Sequence, residues 1–144
     1  MQLLLYTDYA MRVLLYVGAR PGVPVSTSVI ASAYGISNDH VAKAAKALTR
    51  HGLLRATRGA GGGVQLAKPP AEICVGAVVR LFEEHRGPVM CLRDQPDADC
   101  VIEPACVLRR AFQRAEAAFY RELDAHTLAD LLHNRPRLLQ LLRA

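Results

Sequence analysis

The chain has 144 residues, 51% of them hydrophobic, and a formal net charge of +5. That is the size of one domain with one respectable core. Its longest uncharged apolar runs, Val13–Ala19 and Ile73–Val79, stop far short of the ~20 residues a membrane helix needs.

The start, Met1-Gln-Leu-Leu-Leu-Tyr, lacks the basic flank and cleavage site of a secretory signal, so a cytoplasmic protein is expected. In that compartment clustered cysteines bind metal or sense redox state more often than they form structural disulfides. The charge is uneven. Residues 1–70 hold eight Lys/Arg against two acids, Asp8 and Asp39, a net of +6. Residues 71–144 hold ten against eleven, a net of −1. A basic half joined to a near-neutral half suits a nucleic-acid face beside an assembly or sensor face, although a merely solvated surface would look similar.

Tyr6 to Ala19 reads as a first helix, with Ala10, Val13, Leu14 and Val17 as its apolar stripe. Thr7 is expected to cap it, and Arg20-Pro21-Gly22 to end it. Asp8 and Arg12 are four apart and can pair on one face, which alone would account for Asp8. Ser26 caps a short second helix, Thr27 to Ala33. Tyr34-Gly35-Ile36-Ser37 is a tight turn in which Gly35 takes the left-handed backbone and Ser37 caps the next helix.

That third helix, Asn38 to Arg50, buries Val41, Ala44, Ala45 and Leu48 and shows Asn38, His40, Lys43, Lys46 and Arg50. The pattern is a helix-turn-helix, whose second helix enters the major groove. Asn38 and His40 can meet base edges there, Lys43 and Lys46 can meet phosphates, and Ser26 and Ser37 are expected among the DNA contacts as well.

Leu53–Thr57 and Val64–Leu66 read as a hairpin around Arg58-Gly-Ala-Gly-Gly-Gly63, placed where a wing belongs. Backbone amides at Gly61 and Gly62 can approach phosphates, and Arg58 can reach a minor groove. The alternative is a purely structural hairpin. A nucleotide-phosphate loop is excluded, since no Gly-Lys-Ser/Thr follows.

A fourth helix is expected from Glu72 to His85, with Val75, Val78, Val79 and Phe82 inward and Cys74 packed among them as a small apolar group. Arg86-Gly87-Pro88 breaks it. Pro104 opens a long helix to about Ala125, striped with Leu108, Ala111, Phe112, Ala115, Ala118, Phe119 and Leu123. So long a rod beside so small a domain suits a dimer contact. Thr127 caps a short helix, Leu128–Leu132, and a Leu-rich tail follows Pro136. These readings divide the chain into a winged helix-turn-helix at 1–70, a connecting helix and cysteine loop at 71–103, and a dimerisation helix with its tail at 104–144. The fold class is mainly α with a small β-hairpin.

Cys91, Cys100 and Cys106 stand in a loop, with eight and then five residues between them. Three close thiols in a Pro-containing loop suit an iron–sulfur cluster, a zinc site completed by another group, or a thiol–disulfide switch. Paired CxxC knuckles are absent. No nucleophile–base pair or phosphate loop stands out, so an enzyme is not expected.

Several stretches carry a family resemblance. They are Met1-Gln-Leu with Tyr6-Thr-Asp-Tyr-Ala10, Tyr34-Gly-Ile-Ser with Asn38 and His40, and Arg58-Gly with Gly62-Gly63. Further along come Cys100-Val-Ile-Glu-Pro-Ala-Cys106 and Glu122-Leu-Asp with Thr127-Leu-Ala-Asp-Leu131. Together they resemble the NsrR-like nitric-oxide-sensing repressors, within the iron–sulfur winged-helix regulator family that includes IscR and RirA.

The resemblance implies a homodimeric repressor on a partly palindromic double-stranded DNA operator. It implies a 4Fe-4S cluster held by Cys91, Cys100, Cys106 and Asp8 of the partner subunit, with nitric oxide as the signal that nitrosylates the cluster and releases the operator. In relatives with a 2Fe-2S cluster a His three residues after the last Cys is the fourth ligand. Arg109 stands there, which argues against that cluster, so it is kept only as the alternative. The first cysteine interval is longer than the family's commoner pattern, with Arg93-Asp94-Gln95-Pro96 as the extra residues. An iron- or redox-sensing regulator of the same architecture, or a zinc or thiol-switch DNA-binding protein, is the alternative function.

Overall fold

The computed structural model describes residues 3–59, 61–83, 87–93 and 100–142. Met1 and Gln2, Ala60, His85 and Arg86, and the Asp94-Gln95-Pro96 extension lie outside the described residues.

Helix α1 (Leu5–Gly18) is the axis of the core. Its stripe, Ala10, Val13, Leu14 and Val17, is completely or almost completely buried. It packs with Ile30 of α2 (Thr27–Tyr34) and with Val41, Ala44 and Leu48 of α3 (Asn38–Arg50) in one cluster. Burying each such Val, Ile or Leu contributes about 1.5–3 kcal/mol. The expected cap at Thr7 is wrong. Leu4 takes the cap position without a side-chain bond, and Thr7 is inside the helix and fully buried. Its hydroxyl donates instead to Glu83, a buried carboxyl from another helix that also accepts the Leu4 N–H at 2.7 Å. The helix start is thus satisfied from outside, by an acidic group where the dipole favours one.

Ser26 does cap α2, accepting the Val29 N–H at 3.4 Å, and Gly35 closes it at φ 63°. Ser37 occupies the cap position of α3, but its side chain makes no capping bond. Strands β1 (Leu54–Thr57) and β2 (Gly63–Leu66) pair antiparallel with Leu54 opposite Leu66 and Thr57 opposite Gly63. Val25 bridges to Val64 on the far side, so the hairpin is tied to the segment that opens the helix-turn-helix. A Cβ on Gly63 would overlap the Val25 backbone, which is why that position is glycine.

The expected helix from Glu72 is interrupted. A 3-10 turn, Pro70–Glu72, precedes an extended Ile73-Cys74, and α4 runs only over Val75–Glu83 among the described residues. Cys74 therefore lies outside the helix, half-buried, in a bridge with Thr127. The reason is long-range: Val75 N–H bonds His126 O, and Leu128 N–H bonds Ile73 O.

The long helix starts later than expected. Pro104 sits in a separate 3-10 turn, Glu103–Ala105, and α5 spans Val107–Asp124. Cys106 is its cap, with the sulfur accepting the Arg109 N–H at 3.4 Å. Eighteen residues make a rod of about 27 Å. None of them is buried. Thr127 and Asp130 form a reciprocal capping box on α6 (Leu128–Leu131). The Leu-rich tail forms α7 (Arg135–Leu141), with Pro136 in its first turn.

Helix α5 meets α4 through its Tyr120 and Asp124. Arg80 forms two 2.6 Å bonds to Asp124, with its guanidinium 4.4 Å from the centre of the Tyr120 ring. The Arg80 hydrogen bonds hold the Asp124 carboxyl below its ordinary range. A depressed carboxylate contributes stability above its unfolded value, and that contribution is lost as pH falls through the folded one. Acidification below about pH 4 is therefore expected to loosen α5 from α4. The pH dependence of the Tyr120 ring NMR signals checks this. An Asp124→Asn protein should lack the acid step, and an unchanged step in that protein would refute the assignment.

Candidate nucleic-acid interface and cysteine loop

The core face of α3 leaves its opposite face to solvent. Asp39, Lys43, Lys46 and Arg50 lie at spacings of four, three and four, so they share that face, and all are exposed. Asn38 is exposed on one flank and His40 on the other. The His40 ring stacks on Tyr9, 5.5 Å between centroids and 27° between planes. Next to it the Tyr6 hydroxyl donates to the Lys43 carbonyl at 2.8 Å. Two tyrosines of α1 thus seat α3 from the side, while Tyr6 also packs edge-on against Phe82 of α4 at 5.1 Å.

In the wing, Arg58 is exposed. Gly59 and Gly61 take φ of 96° and 75°, backbone that other residues adopt with strain. Gly62 N–H donates to Gly59 O at 2.9 Å, so this amide closes the tip and is already engaged. Ser26 is half-buried and spent on capping, with its hydroxyl 3.0 Å from that of Ser28. Ser37 is exposed.

The four cysteines are all free thiols. Cys91 sits in a 3-10 turn, Met90–Leu92, half-buried like Cys106, while Cys100 is exposed. As a donor set they suit a thiophilic metal group, since none is locked in a disulfide and Cys106 already receives a backbone N–H, as a thiolate would. Among the described residues no group of three or more His, Cys, Asp or Glu is assembled to hold a metal ion. Asp8 pairs with Arg12 at 2.9 Å on a face of α1 that leaves 43% of its side chain exposed. Arg109, in the place of the histidine of 2Fe-2S relatives, reaches Glu103 at 3.5 Å, and its Nε is buried with no partner among the described residues.

Residues 5–134 match the Rrf2 family, described as an iron-dependent transcriptional regulator. The chain belongs to the Rrf2 family. It is 46% identical over 144 residues to the HTH-type transcriptional regulator NsrR of Geobacillus kaustophilus, covering 99% of this chain and 97% of that one. It is 38% identical to the NsrR of Halalkalibacterium halodurans, covering 99% and 98%. Among solved structures it resembles CymR, the global cysteine regulator of B. subtilis, with TM-score 0.72, 26% identity and coverage of 91% and 95%. It also resembles T. potens IscR, with TM-score 0.73, 25% identity and coverage of 93% and 88%. The resemblance to NsrR-like regulators therefore holds, as does the winged-helix class. These relatives are regulators rather than enzymes. No helix among the described residues is long and apolar enough to cross a membrane.

Three features of this Rrf2 regulator were missed in its sequence. Glu83 falls at the end of an apolar helix and looks like a surface acid, and only the apposition of α4 to α1 makes it a buried acceptor. Asp130 was legible, because Thr127-Leu-Ala-Asp130 has the spacing of a capping box. Asp39 was passed over among its basic neighbours, although helical spacing alone puts it in line with Lys43 and Lys46.

Proposed function

We propose that this chain is a homodimeric repressor that binds a partly palindromic operator and releases it on contact with nitric oxide. The observation that carries the reading is the exposed basic face of α3, Lys43, Lys46 and Arg50, in the same chain as a loop with three free thiols. The NsrR name of relatives at 46% and 38% identity supports the choice of signal.

Helix α3 enters the major groove, with Asn38 and His40 beside its base-reading turn and Lys43 and Lys46 against phosphates. The wing lies along the backbone with Arg58, Gly61 and the tip closed by Gly62. The open groove formed by Pro88 with Phe112, Ala115, Glu116 and Phe119 of α5 meets the second copy, which covers a helix with no fully buried residue on its own chain.

Cys91, Cys100 and Cys106, with Asp8 of the partner subunit, hold a 4Fe-4S cluster; a 2Fe-2S cluster is the lesser alternative. When bound, the cluster supplies iron that reacts with nitric oxide. The carboxylate would be the weakest of the four donors and the one most readily given up. Asp8 lies in the same turn of α1 as Tyr6, Thr7 and Tyr9, which reach Lys43, Glu83 and His40. A change in the position of Asp8 is therefore passed to α3, and the spacing of the two recognition helices over half-sites one helical turn apart is lost.

The test is anaerobic purification, absorption and native mass, followed by nitric oxide titration against bound duplex DNA. A coloured dimer that loses its DNA on titration is expected, with affinity falling steeply with salt. A colourless zinc protein would remove the cluster. A coloured dimer that keeps its DNA through the titration would favour iron supply or redox state as the signal.

A further inference from the structure

The DNA-facing half has two acids among eight Lys/Arg in residues 1–70. Asp8 is paired with Arg12. Asp39 has no ion pair or hydrogen bond among the described residues, and it is exposed. It lies in the first turn of α3, in line with Lys43, Lys46 and Arg50, opposite the buried Val41, Ala44, Ala45 and Leu48. His40, its neighbour, is drawn aside onto Tyr9. The residue at the centre of the outward first turn is thus a carboxylate.

A carboxylate there cannot contact phosphate, because like charges repel. It is also an acceptor only. In the major groove guanine offers two acceptors, thymine an acceptor and a methyl, and adenine an acceptor beside its amino donor. Cytosine alone offers an amino donor without an adjacent acceptor, and it is the base that Asp and Glu pair with. We propose that Asp39 reads one cytosine in each half-site by accepting a hydrogen bond from its N4 amino group. The proposal rests on α3 as the recognition helix and is independent of any cluster. The flanking Lys43 and Lys46 hold the phosphates and offset the repulsion that Asp39 adds. Wrong bases are rejected there, since the carboxylate is stranded between the phosphate strands.

Two roles without DNA compete: complementing the positive end of the α3 dipole, or pairing with Lys43 one turn on. They are separated by selecting binding sites from a randomised duplex pool with the anaerobically purified full chain, its Asp39→Ala variant and its Asp39→Asn variant. Wild type should enrich cytosine at one position per half-site by about tenfold or more. Asp39→Ala should flatten that position alone and bind random duplex more tightly. Asp39→Asn should shift the same position to adenine, the base that Asn pairs with. Far-UV circular dichroism establishes that each variant is folded. If Asp39→Ala selects the same sequences as wild type and differs only in a lower melting temperature, Asp39 serves the helix end and the proposal is overturned. If wild type enriches no sequence, the reading of α3 falls and this proposal with it.

Discussion

Glu83→Ala should lower the melting temperature by about 6–15 °C, measured by scanning calorimetry. The buried carboxyl accepts two donors from the start of α1, the Leu4 N–H and the Thr7 hydroxyl. Alanine strands both in a site from which water is largely excluded. The fully buried Thr7 hydroxyl left without a partner costs about 1–3 kcal/mol and the half-buried Leu4 N–H about 1 more, so the pair together costs about 2–4 kcal/mol. For a domain of this size each kcal/mol moves the midpoint by roughly 3–4 °C. Thr7→Val in the same background should then cost little more, because its partner is already gone. A Glu83→Ala protein that melts within a degree of wild type would show that α1 is held by apolar packing alone. The loss also has a functional side. Thr7 lies between Tyr6 and Asp8, so the variant should bind duplex DNA more weakly even before any signal is applied.

Gly76→Val should detach α5 from α4. A Cβ at position 76 would overlap the Asp124 carboxyl and crowd its backbone nitrogen. Asp124 cannot swing aside without breaking both bonds to Arg80. Overpacking at such a contact costs about 1–3 kcal/mol. The cost falls on one crossing rather than on the core around Leu14 and Leu48, so the winged-helix half should still melt cooperatively. Native mass and DNA affinity are the readouts. The variant is expected to lose most of its dimer and, with it, at least tenfold of its affinity for a two-half-site duplex. A single-half-site duplex should be bound as before. If the dimer persists with normal affinity, α5 is not fixed through α4. Gly18 offers a control, since a Cβ there meets chiefly the Leu132 side chain, which can rotate away.

The helix-turn-helix was legible because its information is local. The stripe of α1, the capping Ser26 and the left-handed Gly35 each act within one turn of their own position. The same holds for the α3 face and the capping Thr127. Two departures from the local reading involve partners far away in the chain. Thr7 looks like a cap until Glu83, 76 residues on, turns it inward. Cys74 looks helical until Thr127 and His126 draw its strand-like backbone into a bridge. Pro104 is a local exception: it looks like a helix start, but the helix begins three residues later, where the Cys106 sulfur accepts the Arg109 N–H. The site was legible as a set of residue types and not as a geometry. Spacing brings out three thiols and a basic face, and it does not say that no group of three or more His, Cys, Asp or Glu is assembled for a metal among the described residues.

By itself the sequence determined the winged-helix class, the exposed basic face of α3 and the three thiols placed close together in sequence, because periodicity, capping and charge are set by neighbours in the chain. Only the tertiary structure decided how these parts are coupled. Two tyrosines, a threonine and an aspartate occupy one turn of α1, and packing alone turns Tyr6 and Tyr9 to the recognition helix, Thr7 to α4 and Asp8 to solvent. A helix turn has as many faces as it has residues. Which element covers each face depends on contacts some thirty to eighty residues distant, and no local pattern specifies them.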